Sequence, residues 1–130
     1  TADASCAAAT SANLLKLFGE QRTEAEMAEL LGTTAYGTST AQMWWTLQSL
    51  GYEVRKVNVE PGEFSDISAP ALLLVDYGAE ALGHVVLFAR VVEGRAEIWD
   101  PLGGRALQRA QELEVRWRGH ALTVKGLSRE

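Results

Sequence analysis

Three residues of this 130-residue chain, Cys6, His84 and Asp100, carry the side chains that a thiol-dependent hydrolase needs. Such an enzyme uses a cysteine as nucleophile, a histidine as its base and a third group that orients the base. Cys6 is the only cysteine and begins an Ala- and Leu-rich segment that we predict to be a helix ending at Leu17. The partial positive charge of a helix N-terminus stabilises a thiolate and lowers the pKa of a thiol. The alternative for Cys6 is a small buried hydrophobic residue.

His84 and Asp100 lie at the ends of two predicted strands. His84 precedes the apolar run 85–88, and Asp100 follows the strand predicted at 96–99 and precedes Pro101. If these strands are neighbours, both side chains emerge from one sheet, where Asp100 accepts from one imidazole nitrogen and the other nitrogen faces the nucleophile. The alternatives are a hydrogen-bonded core histidine and an Asp-Pro turn.

The elements that would position these residues divide the chain into a helical half and a stranded half. Helices are predicted from Cys6 to Leu17, from a capping box at Thr23, and from a second capping box at Ser39. After Gly51 the apolar period becomes alternating, and Glu93-Gly94 indicates a hairpin. This segregation predicts an α+β fold, with residues 1–130 forming a single domain. The predicted strands are 52–59, 71–75, 83–90, 96–99 and 121–124, and 106–115 is left open between helix and loop.

Composition excludes several classes of partner. The net charge is −5, and the twelve basic residues form no run, which argues against nucleic acid and against an anionic membrane surface. One cysteine and two widely separated histidines do not make a four-ligand zinc site, so we expect neither metal nor cofactor. No apolar run approaches the roughly 20 residues that span a bilayer.

The ordered motifs of the chain resemble a known family, the bacteriocin-processing, double-glycine-type cysteine peptidase domains of the papain-like superfamily. Some of these are N-terminal domains of peptide-exporting ABC transporters, and others stand alone. The resemblance covers nearly the whole chain. Its marks are Asp3-Ala4-Ser5-Cys6, Leu30-Leu31-Gly32-Thr33, Gly37-Thr38-Ser39, Leu50-Gly51-Tyr52, Pro70, Gly83-His84-Val85-Val86-Leu87, Asp100-Pro101 with Gly103 or Gly104, and Trp117-Arg118-Gly119.

The resemblance implies a papain-like fold, with N-terminal helices packed on a C-terminal antiparallel sheet. It implies that Cys6 is the nucleophile, His84 the general base and acid, and Asp100 the orienting residue. The implied reaction is cleavage of a leader peptide after a Gly-Gly pair, which matures a bacteriocin-like secreted peptide. The implied partners are that leader, docked as a helix on an apolar surface for which Trp44, Trp45 and Tyr36 are candidates, and exporter domains in the same or a partner chain. The implied location is cytoplasmic, with an exported standalone form as the alternative.

Two departures from the family pattern keep other functions open. Ala7 follows the nucleophile where the family usually has glycine, and the family's oxyanion-hole glutamine would fall just before Thr1. Loss of one oxyanion donor costs about 100- to 1000-fold in turnover. The second reading is therefore a non-catalytic leader- or substrate-binding module of an exporter. Further alternatives are a thiol acyltransferase and a hydrolase that uses Thr1 as an N-terminal nucleophile.

Overall fold

A computed structural model describes residues 6–32, 40–75, 84–101 and 103–126, in which helices precede most of the strands. Ser39, predicted to cap the third helix, lies outside the described residues. The helices are α1 (Cys6–Leu17), α2 (Glu24–Leu31), α3 (Thr40–Ser49) and α4 (Ala110–Glu114), with a 3₁₀ segment at Pro61–Asp66. The strands are β1 (Glu53–Asn58), β2 (Ala71–Val75), β3 (His84–Val92), β4 (Arg95–Asp100), β5 (Gly104–Gln108) and β6 (Trp117–Lys125).

The strands form one six-stranded sheet in the order β1-β6-β2-β3-β4-β5, and every neighbouring pair is antiparallel. The last strand in sequence, β6, therefore lies inside the sheet between β1 and β2. Antiparallel pairing brings the starts of β3, β5 and β6 to the same end of the sheet as the finishes of β1, β2 and β4. His84 and Asp100 both lie at this end.

The two faces of the sheet bury separate cores. The first three helices cover one face, where alternate residues such as Leu72, Leu87 and Leu122 are buried. The 3₁₀ segment and α4 cover the other face, where Phe88 and Trp117 are buried. This period-2 alternation is that of a sheet covered on both sides. The predicted α+β arrangement, with N-terminal helices packed on an antiparallel sheet, is confirmed.

The predicted capping box begins α2. Thr23 Oγ1 accepts from the Glu26 backbone N–H at 3.0 Å, and Glu26 Oε1 accepts from the Thr23 N–H at 2.8 Å. These two hydrogen bonds satisfy N–H groups that the helix itself leaves without partners. Hydrogen bonding to Thr23 lowers the pKa of Glu26. The backbone of Thr23 makes the larger contribution and its side chain the smaller one.

The β3–β4 hairpin turns at the predicted Glu93-Gly94 pair. Both residues have positive φ, 51° and 78°, as two-residue hairpin turns require. This turn places β4 next to β3, with Leu87 opposite Trp99 and Phe88 opposite Ile98. The hairpin thereby returns the chain to the sheet end from which His84 starts.

Residues 106–115, for which the sequence favours neither helix nor loop, contain part of β5 and all of α4. Every residue of β5 except the last is exposed, because β5 is an edge strand, so its sequence lacks the alternation that marks a strand. β6 is also longer than predicted, beginning at Trp117 rather than at residue 121. In the described part of the chain, no helix is long and apolar enough to cross a membrane.

Gly119 is required where β6 approaches the end of β1. Its φ is +97°, and a Cβ at this position would lie 1.8 Å from the carbonyl oxygen of Val59. We expect Gly119→Ala to lower the free energy of unfolding by about 3 kcal/mol, because it adds both a backbone clash and left-handed strain. Urea denaturation followed by circular dichroism measures this. Gly62→Ala is the matched control, because a Cβ there has nothing within 4 Å, and an equal effect at both positions would contradict the prediction.

Candidate active site

The thiol of Cys6 lies against the imidazole of His84. Cys6 is the first residue of α1, and its Sγ is 2.8 Å from His84 Nδ1 and 3.9 Å from Nε2. The two residues are 78 positions apart in sequence, and both are buried. The packing of α1 on β3 therefore brings together the helix start and the strand start that the sequence identified.

The carboxylate of Asp100 holds the other side of the imidazole ring. His84 Nε2 is 2.9 Å from Asp100 Oδ1, and the carboxylate is largely buried. His84 and Asp100 were expected to meet only if their strands are neighbours, and β3 does pair with β4. All three predicted residues thus form one continuous chain of side-chain contacts.

This geometry defines which imidazole nitrogen can act as a base. An ionised carboxylate only accepts hydrogen bonds, so Asp100 favours the tautomer that carries its proton on Nε2. The Nδ1 lone pair then faces the thiol and can take its proton. The result is a thiolate beside an imidazolium, the arrangement that activates a cysteine nucleophile.

The backbone of Val85 provides a further pair of contacts to the sulfur. Its N–H donates to Cys6 Sγ at 3.2 Å, and its carbonyl accepts from the thiol at 3.2 Å. The same carbonyl accepts from the hydroxyl of the buried Thr10 at 3.0 Å. Thr10 lies one helical turn after Cys6, so the two side chains attach one face of α1 to β3. The i, i+4 spacing from the cysteine was a signal for Thr10 that the sequence analysis did not use.

Arg116, which the sequence analysis also missed, lies beside the carboxylate. Its Nη1 is 3.9 Å from Asp100 Oδ2, and its side chain is partly buried. Arg116 is in the connection between α4 and β6, a region whose structure the sequence left undecided. The guanidinium lies at the second carboxylate oxygen of Asp100, while the first contacts His84, so the two basic side chains flank the carboxylate.

A family model for the peptidase C39 family matches residues 1–128. The chain belongs to the peptidase C39 family. An uncharacterised protein of Methanothermobacter marburgensis is 31% identical over 93% of this C39 chain and 82% of its own length.

Two solved structures share the fold of this C39 family member. The peptidase domain of Streptococcus ComA, a bifunctional ABC transporter, has a TM-score of 0.79 at 21% identity, covering 92% of this chain and 90% of that one. A double glycine motif protease from an AMS/PCAT transporter, solved with its leader peptide, has a TM-score of 0.81 at 18% identity, covering 95% and 85%. At such identities the likeness establishes the fold, which confirms the papain-like architecture.

Trp44 and Trp45, the described candidates for the leader-docking surface of this C39 family member, are not part of the Cys6–His84–Asp100 chain of contacts. Trp44 is partly buried and donates from its indole nitrogen to the carbonyl of Val54 at 3.0 Å, whereas its neighbour Trp45 is 68% exposed. Tyr36 and Thr1 lie outside the described residues. His120 is exposed on β6, two strands from β3, which carries His84.

Asp100→Asn is expected to lower kcat/KM for peptide cleavage about 100-fold. The cause is the orientation of the new amide, because the positive charge of Arg116, 3.9 Å from the Oδ2 position, attracts the amide oxygen to that side. The amide NH₂ would then face His84 Nε2 and move the imidazole proton to Nδ1, where it blocks transfer from the thiol. Initial rates of peptide cleavage measure the effect.

A second substitution tests whether the slower cleavage by Asp100→Asn comes from the orientation of the new amide or only from the loss of the carboxylate charge. Adding Arg116→Met to Asp100→Asn removes the nearby positive charge, so the amide can turn its oxygen toward Nε2. We expect the double variant to recover roughly fivefold over Asp100→Asn, about the worth of one hydrogen bond. Arg116→Met alone serves as the reference, and a double variant slower than Asp100→Asn would contradict this explanation.

Proposed function

We propose that this chain is a cysteine endopeptidase that cleaves a leader peptide after a Gly-Gly pair and thereby matures a bacteriocin-like secreted peptide. The observation that carries the proposal is the contact chain from Cys6 Sγ to His84 Nδ1 at 2.8 Å and from Nε2 to Asp100 Oδ1 at 2.9 Å. Membership of a peptidase family supports the same chemistry.

In the proposed first step, the proton of the Cys6 thiol moves to His84 Nδ1 and Sγ attacks the carbonyl carbon of the second glycine. The carbonyl oxygen becomes an oxyanion, to which the backbone N–H of Cys6 at the start of α1 would donate. Asp100 stabilises the imidazolium that forms and keeps the ring oriented.

In the second step, the tetrahedral intermediate collapses. His84 gives its Nδ1 proton to the leaving amine, the peptide C–N bond breaks, and the leader remains bound to Cys6 as a thioester. A water molecule then gives a proton to Nδ1 and attacks the thioester carbonyl. The C–S bond breaks, the Nδ1 proton returns to the sulfur, and the leader leaves as a carboxylic acid that releases its proton to solvent.

The proposed preference for glycine follows from the surroundings of the thiol. Cys6 is 4% exposed and His84 is 3% exposed, so a substrate chain that reaches the sulfur has little room for side chains. Glycine lets the backbone approach where a Cβ would collide. The protease that was solved with a leader peptide, and that shares this fold, is described as a double glycine motif protease.

The rest of the leader is proposed to dock as an amphipathic helix on the exposed apolar surface of α2 and α3. Leu30 and Trp45 are exposed there, and large aromatic side chains are favoured anchors for helix-in-groove recognition. Both solved structures come from transporters, which supports the proposal that this domain acts beside an exporter, in the same or a partner chain. The cytoplasmic location is proposed from the family resemblance.

A synthetic leader peptide tests the proposal. The probe is an amphipathic helical segment followed by Gly-Gly and several further residues, and its matched control carries Ala-Ala in place of Gly-Gly. We expect mass spectrometry to find cleavage after the second glycine and none in the control. Binding without cleavage would instead indicate the non-catalytic module. Capture of the leader by an added amine, in preference to water, would indicate an acyltransferase.

A further inference from the structure

A groove of about 260 Å³ opens on the helix-facing side of the sheet. Thr40, the first residue of α3, lines one side of it. Its floor is apolar, formed by Leu74, Leu122 and the strand backbone around them. Its polar lining consists of Lys56, Asn58 and His120.

The groove continues the face of the sheet that the helices cover. Lys56 and Asn58 alternate with the buried Val54 on β1, so they project to the same side. His120 pairs directly with Asn58 across β1 and β6, which places their side chains next to each other. All three polar side chains are exposed, and Leu122 in the floor belongs to the core on the helix-covered face.

The charge of the groove is opposite to that of the whole chain. Lys56 contributes a cation, and its ammonium also lies 5.7 Å from the centre of the Trp44 ring. None of the described residues that line the groove carries a carboxylate, although the chain has seventeen Asp and Glu residues and a net charge of −5. A ligand group with a carboxylate and a short methylene stem matches this lining, since its stem can cover the apolar floor while its charge meets Lys56.

The groove and the thiol lie at the same end of the sheet. Leu74 on β2 pairs with Val85 on β3, the residue whose backbone contacts Cys6 Sγ. From β3 to β6 is a distance of two strands, or about 10 Å, and from β3 to β1 it is about 14 Å. An extended peptide covers about 3.3 Å per residue. If the scissile bond of a substrate lies at the sulfur, the groove can therefore be reached by a side chain three to five residues along that substrate.

We propose that this groove is a specificity subsite that takes an acidic side chain of the peptide substrate. The inference rests on the proposed peptidase function and names a feature of the substrate. Lys56 attracts the carboxylate, and Asn58 and His120 donate to it. The peptide would lie across the end of the sheet from Cys6 to β1, with its acidic residue three to five positions from the scissile bond.

The test uses a set of synthetic Gly-Gly peptides that differ at one residue. A single Glu, or Gln in the matched peptide, is placed in turn at the third to sixth residue before the scissile bond, which leaves the Gly-Gly pair unchanged, and at the second to sixth residue after it. We expect the wild-type protein to prefer Glu over Gln by about threefold to fivefold in kcat/KM at one of these positions, and the preference to shrink in 0.5 M salt, as expected for an exposed charge.

Variants of Lys56 identify the groove as the source of the preference. Lys56→Gln should bring the ratio of Glu to Gln peptides close to one, and Lys56→Arg should keep it. Lys125→Gln is the matched control, because Lys125 is also an exposed lysine but lies at the opposite end of the sheet. An unchanged ratio in Lys56→Gln, or a wild-type protein without any Glu preference, would overturn the subsite.

The failure of the subsite is distinguishable from the failure of the peptidase proposal. If none of the peptides is cleaved, the proposed function fails, and the same peptides are then titrated against the Cys6→Ala variant while binding is measured by isothermal titration calorimetry. Tighter binding of one Glu peptide, lost in Lys56→Gln, would still support the groove. Equal binding of all Glu and Gln peptides would reject it.

Discussion

Replacing Cys6 by alanine is expected to abolish peptide cleavage while leaving the fold intact. The substitution removes the only sulfur from the contact with His84 Nδ1, and no described side chain at that contact can replace it as a nucleophile. Removal of the nucleophile from such an assembly lowers kcat by about 10⁴-fold or more. The side chain loses one heavy atom from the edge of the helix-side core, so the free energy of unfolding should change by about 1 kcal/mol or less.

The measurement is peptide cleavage by mass spectrometry, together with thermal unfolding of the same preparations. Cys6→Ser is the matched variant, because it keeps a hydrogen-bonding group of similar size but exchanges the thiol for a poorly ionised hydroxyl. It should also be inactive. Full cleavage by either folded variant would rule out a thiol mechanism at this position.

Replacing His84 by glutamine is expected to lower cleavage at least about 1000-fold, since the chain loses the group that takes the thiol proton and later protonates the leaving amine. Glutamine is preferred to alanine here because His84 is buried and its removal would leave a cavity beside the Asp100 carboxylate. Its amide can still hydrogen-bond to both neighbours, but it does not titrate.

The rate at which Cys6 is alkylated provides an independent measure of how the loss of the His84 imidazole affects the thiol. In the wild-type protein, Cys6 should react with iodoacetamide below pH 7, because the imidazole accepts its proton. In His84→Gln, fast alkylation should need a pH near the ordinary thiol titration, at about 8.5. Identical pH profiles in the two proteins would show that His84 does not activate Cys6. Near-native cleavage by His84→Gln would count equally against its assignment as the base.

Local signals in the sequence were sufficient for most of the helices and for the hairpin beside the site. The bounds of α1, the capping box of α2 and the Glu93-Gly94 turn all depend on interactions within a few residues, so the residue types predict them directly. The three residues that the structure brings into contact were also accessible from the sequence, because a helix start and two strand ends are recognisable places for chemically active side chains.

The spacing of apolar residues was less informative in the Ala-rich helix α1 and in the exposed edge strand β5. In α1 the apolar Ala9 and Leu17 are only partly buried, whereas the polar Thr10 is fully buried. An Ala-rich helix has a weak apolar stripe, so the neighbours rather than the pattern decide which face is buried. The edge strand β5 was missed for a related reason, since none of its residues is fully buried.

By itself, the sequence determined the residue types of the site, the α+β order of elements and the family. Only the tertiary structure decided that His84 Nδ1 rather than Nε2 faces the sulfur, that Arg116 lies beside Asp100, and that β6 enters the middle of the sheet. These features depend on contacts between residues far apart in the chain, and they arise from packing and strand pairing. No local propensity encodes such contacts, because each becomes favourable only after the other elements have been placed.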